Sequence, residues 1–61
     1  MKTECEEVAE TMFDAFPKRR LSFDETRELV LQMNPGWRDG GETMQVIDNV
    51  TEAIWRKLRR E

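Results

Sequence analysis

Residues 42–60 read Glu42-Thr43-Met44-Gln45-Val46-Ile47-Asp48-Asn49-Val50-Thr51-Glu52-Ala53-Ile54-Trp55-Arg56-Lys57-Leu58-Arg59-Arg60, part of the longest stretch of the chain free of glycine and proline. Ile47, Val50, Ile54 and Leu58 recur at steps of three and four, the spacing of one face of an α-helix. Val46 and Ala53 widen this stripe on one flank and Met44 and Trp55 on the other, to an arc of roughly 200°. The spacing predicts a helix over about residues 42–60. Its arc is wider than a single contact needs, and the surplus is open to a second molecule.

Upstream, Thr3 with Glu6 and Ser22 with Glu25 each have the spacing of a capping box, in which side chain and backbone satisfy each other's unpaired N–H groups. After the first box, Cys5, Val8, Ala9, Met12, Phe13 and Phe16 gather on one side, with Glu7, Glu10 and Asp14 opposite. Pro17 disfavours helical geometry at Phe16, so a helix is expected over about residues 4–16. After the second box, Phe23, Thr26, Leu29, Val30 and Met33 form a narrower stripe, with Leu31 away from it. Asn34-Pro35-Gly36 then closes a helix expected over about residues 23–33. Sustained period-two alternation is missing, apart from a faint suggestion of extended structure over Arg20 to Phe23. The fold class is therefore all-α: a small three-helix bundle in a single domain spanning 1–61.

The chain has 61 residues, 38% of them hydrophobic and 38% charged, with ten Lys and Arg against thirteen Asp and Glu for a net charge of -3. A chain this short buries only about 60% of the surface its unfolded form exposes, so completion of the bundle by homodimerisation is one expectation. Histidine and tyrosine are absent, and Cys5 and Ser22 are the lone cysteine and serine. No Ser-His or Cys-His nucleophile pair can be assembled from such a set, and no zinc site either. Asp39-Gly40-Gly41-Glu42 lacks the alternating oxygen ligands of a calcium loop. The expectation is a protein that is not an enzyme and needs no cofactor or metal. A single cysteine and an acidic N-terminus without an apolar run fit a reducing, cytoplasmic setting with no membrane anchor.

Three features are candidates for function. Seven of the ten basic residues fall in two clusters, Lys18, Arg19 and Arg20 after the first helix and Arg56, Lys57, Arg59 and Arg60 at the end of the third. In an up-down-up bundle both clusters share one pole, with Glu4, Glu6 and Glu7 at the other, and such a pole can engage phosphates. Competing with this, cations in the last turn of a helix are favoured by its dipole alone, and Glu52 with Arg56 and Asp14 with Lys18 neutralise part of the charge. The connections, at about six and eight residues, are also too long for a helix-turn-helix reader.

The second candidate is the connection Asn34 to Gly41, which carries Trp37, Arg38 and all three glycines. Tryptophan and arginine are the residues most enriched at interface hot spots. Trp37 and Arg38, with a band of Met44, Thr51 and Trp55 on the third helix, form the candidate partner-binding surface. The plainer alternative folds Trp37 back as a lid on the core and packs Trp55 against the first helix. The third candidate, a phosphate site at Asp39-Gly40-Gly41-Glu42-Thr43, is disfavoured because Asp39 and Glu42 repel anions and are expected to cap the helix themselves. Cys5 is expected in the core, and Met12, Met33 and Met44 are expected to fill gaps.

The reading that follows is a non-catalytic regulator, inhibitor or adaptor that binds another protein through the Trp37 connection and one face of the third helix. The alternative is a nucleic-acid-associated protein that uses residues 18–20 and 56–60.

Overall fold

Both capping boxes form in the computed structural model, which describes residues 2–60. The Glu6 backbone N–H donates to Thr3 Oγ1 at 3.2 Å, and the Glu25 N–H donates to Ser22 Oγ at 3.1 Å. They open α1 over Glu4–Phe13 and α2 over Phe23–Met33, and α3 follows over Met44–Arg60. No strand occurs among the described residues, and Arg20 to Phe23 holds no extended element.

Helix α1 ends at Phe13, three residues before its expected end at Phe16. Because Pro17 excludes helical geometry at Phe16, the chain tightens early: Ala15 N–H bonds Met12 O and Phe16 N–H bonds Phe13 O, both at 3.0 Å. Lys18 Nζ then donates to the Phe13 carbonyl and, at 3.0 Å, to that of Phe16. The tightened turn leaves Phe16 buried, with 4% of its surface exposed.

Helix α3 starts at Met44 rather than Glu42, because the cap is Thr43 and neither Asp39 nor Glu42. Val46 N–H donates to Thr43 Oγ1 at 3.2 Å, while Glu42 is extended and its Oε1 accepts the Thr43 N–H at 3.0 Å. The connection before it is more ordered than an irregular loop: Trp37–Gly41 winds into one π-helical turn with a kink at Asp39 and Gly40. Gly40 has a φ of 91°, which favours glycine, and a Cβ on Gly41 would lie 2.6 Å from the Gly36 carbonyl oxygen.

Helix α3 runs through the middle of the molecule and packs against both α1 and α2, which make little contact with each other. The core joins Ala9 of α1, Phe16 and Leu21 of the connection, Val30 of α2, and Val50, Ile54 and Leu58 of α3. Two neighbours on different sides explain the width of the apolar arc of α3. Thr51, placed by sequence in an exposed band, is fully buried and returns its hydroxyl to the Ile47 carbonyl at 2.7 Å. Leu31, away from the α2 stripe, is buried as well. Helix α2 is thus covered over a broader face than its stripe predicts.

Contacts along α3 set the directions of its partners. Phe23 at the start of α2 meets Trp55 near the end of α3, and Arg27 pairs with Asp48 at 3.1 Å, so the two run antiparallel. Phe13 at the end of α1 lies beside Lys57, so α1 and α3 end together. The result is a flat all-α molecule of 31 × 27 × 17 Å. Among the described residues no helix is long and apolar enough to cross a membrane.

Candidate functional site

At the acidic end, the π-helical turn holds Trp37 half-buried against the edge of the core. The turn is tied to the last residue of the α2 boundary, where Trp37 N–H donates to the Asn34 carbonyl at 2.9 Å. Asn34 Nδ2 in turn donates to the Val30 carbonyl at 2.9 Å. Beside the indole an open cavity of about 230 Å³ runs between α1 and α3, floored by Val50 and walled by Cys5, Val8 and Val46. Glu4 and Glu42 stand on its rim. The walls are apolar and the rim carries two carboxylates, so the cavity suits an apolar group whose flanks are cationic.

Cys5 is half-buried here and lines the cavity, rather than lying sealed in the core. Arg38 points away and pairs with Glu28 of α2. Met44 is 62% exposed on the α2 side, where its Sδ accepts from Arg27 Nη2 at 3.3 Å. Trp55 lies eleven positions further along α3, about 16 Å at the rise of an α-helix. Trp37, Arg38, Met44 and Trp55, singled out together with the buried Thr51 as a partner surface, therefore do not make one patch.

At the opposite end the two basic clusters come together. The Phe13 ring has Lys18 Nζ 4.2 Å from its centroid on behalf of one cluster and Lys57 Nζ 5.5 Å away on behalf of the other. Trp55 belongs to this end. Its ring meets Phe23 edge-on at 5.8 Å and 75°, and the Arg59 guanidinium lies 4.4 Å from its centroid. Trp55 thus packs on α2 and not on α1. Its Nε1–H is buried and has no acceptor among the described residues. Arg56 is engaged by Glu52 at 2.8 Å, whereas Arg19, Arg20, Arg59 and Arg60 are exposed and make no ion pair among the described residues.

A larger groove of about 600 Å³ follows the seam of α1 and α3, and four of its charged residues pair off within it. Lys2 bonds Glu10 at 2.6 Å, which raises the lysine pKa and lowers that of the carboxyl, and Glu52 holds Arg56 on the facing wall. Its lining is more polar than apolar, and Lys57 and Arg60 at its basic end stand outside these ion pairs.

The apolar cavity was hidden in the sequence because Val8 and Val46 look like ordinary core positions; the available signal was Trp37 between glycines. Phe13 as a bridge between clusters was likewise hidden, although a phenylalanine in the last turn of α1, five residues before Lys18, hinted at it. Compared with known proteins, the chain matches no family model, no curated protein and no solved structure.

Proposed function

We propose that the protein is a non-catalytic binding module, a regulator, inhibitor or adaptor, that grips another protein at its Trp37 end. The observation that carries this reading is the cavity walled by Cys5, Val8, Trp37, Val46 and Val50 with Glu4 and Glu42 at its mouth. A partner segment inserts one apolar side chain beside the indole, and its flanking Lys or Arg residues meet the two carboxylates. Tryptophan at a half-desolvated pocket is the kind of anchor that dominates interface energetics, with the surrounding charges adding selectivity and encounter rate. The absence of histidine, tyrosine and any serine beyond the Ser22 cap supports binding over catalysis.

Selection of random dodecapeptides displayed against the intact protein tests this. The expected consensus is one Leu, Ile, Phe or Met flanked by Lys or Arg, with affinity reduced at least tenfold by Trp37→Ala and weakened by Glu42→Gln. An acidic consensus, or one insensitive to Trp37→Ala, would sink the proposal.

A further inference from the structure

We infer that the basic end is a second, separate site, and that it binds single-stranded nucleic acid by stacking a base on Arg59. The arrangement there combines the two things such a ligand needs, a planar platform and cations outside the ion pairs of the described residues. The platform is the succession of Phe23, Trp55 and Arg59: the phenyl ring meets the indole edge-on, and the guanidinium covers the indole at 4.4 Å. Arg59 is exposed, so its outer face is free to take a planar base and extend the stack by one layer. Arginine is suited to this position because its guanidinium is flat, delocalised and weakly hydrated, unlike the compact ammonium of lysine.

The cations are positioned by the fold. The ion pairs among the described residues engage Lys2, Arg27, Arg38 and Arg56. Arg19, Arg20, Lys57 and Arg60 stand outside them, with Lys57 joined to the Lys18 cluster across the Phe13 ring. Arg19 and Arg20 precede Phe23 by four and three residues, in the exposed connection that leads into α2. Glu10 lies within electrostatic reach of Lys57 and Glu25 of Arg19, and Asp14 and Asp24 are exposed, so the net charge is limited and the affinity is modest, set by stacking as well as by phosphate contacts. A single strand fits better than a duplex because its bases are free to leave the helix and stack. Polyglutamate has no aromatic ring to lay on the guanidinium.

The test titrates the isotope-labelled full chain with oligothymidine of about fifteen nucleotides, a duplex of equal length and polyglutamate of equal charge. The indole N–H resonances of Trp55 and Trp37 report the two ends separately. Expected is a saturable shift of the Trp55 resonance with Trp37 unmoved, and preference for the single strand over both competitors. With four cations engaged, log affinity falls against log salt with a slope of about -3. Arg59→Ala weakens binding at least tenfold, and Arg59→Lys, which keeps the charge and removes the plane, at least threefold. Equal binding of duplex or polyglutamate, wild-type affinity in Arg59→Lys, or no saturable Trp55 shift each overturns the inference.

Discussion

The two tryptophans occupy opposite ends of the molecule and opposite electrostatic surroundings. Trp37 sits in a glycine-bounded turn beside an apolar cavity rimmed by Glu4 and Glu42. Trp55 sits on a regular helix, braced by Phe23 and covered by Arg59. The first has empty apolar space next to it, and the second has its space already filled and a cation on top. The same side chain is therefore an anchor for an incoming apolar group at one end and a support for a charged platform at the other.

Both ends hang on α3, so the largest effect is expected from its centre. Ile54 is fully buried where α1 and α2 meet α3, and Ile54→Ala should cost about 2–5 kcal/mol, most of the stability of a domain this small. Thermal unfolding followed by circular dichroism should show a large drop in midpoint, with both indole signals lost together. Loss of one indole signal before the other would mean that the ends are independent units.

Gly41→Ala separates them. A Cβ would lie 2.6 Å from the Gly36 carbonyl oxygen, so the π-helical turn must open, at a cost of roughly 1–3 kcal/mol. The Trp37 indole resonance should move and the Trp55 resonance should stay. Equal movement of both would contradict the division.

Ser22→Ala acts at the basic end by removing the α2 cap, at a cost of about 1 kcal/mol in a urea melt. The same box carries a pH signature. The Ser22 backbone N–H and then its hydroxyl hold the Glu25 carboxyl below its usual value. A depressed folded pKa contributes stability that is present above the unfolded value of about 4.3 and lost as pH falls through the folded one. Glu25→Gln should therefore flatten part of the loss of melting temperature between about pH 5 and pH 3. An unchanged acid slope would show that the carboxylate adds nothing.

Trp55→Phe should have the smallest effect on stability, no more than about 1 kcal/mol by the same melts. The contact with Phe23 is kept in part, and the buried Nε1–H that lacks an acceptor is removed. A cost well above that would mean that the indole nitrogen finds a partner.

Much of the fold was legible in local chemistry. Thr3 with Glu6 and Ser22 with Glu25 start their helices where the capping boxes lie, because a cap involves only residues three apart. The ends were less legible: α1 stops at Phe13 since the influence of Pro17 spreads upstream through the tightened turn, and α3 starts after Thr43 since a hydroxyl outcompetes the neighbouring carboxylates. The meeting of the two basic clusters was also readable, because an up-down-up order brings the ends of α1 and α3 together whatever the side chains do. The partner surface was not, since Met44 and Trp55 share a helix flank yet lie about 16 Å apart along it.

Periodicity, capping and turn residues act within a few positions of one another, so sequence alone determined that the chain is helical, where its first two helices begin, and that its charge divides between two ends. It also placed a surplus of apolar surface on the third helix. Whether that surplus faced solvent or the chain itself was decided only when α1 and α2 both packed on α3. Tertiary packing likewise chose Phe23 as the neighbour of Trp55 and left the cavity beside Trp37 open. Those outcomes depend on residues distant in sequence competing for the same space, and no local pattern encodes which of them prevails.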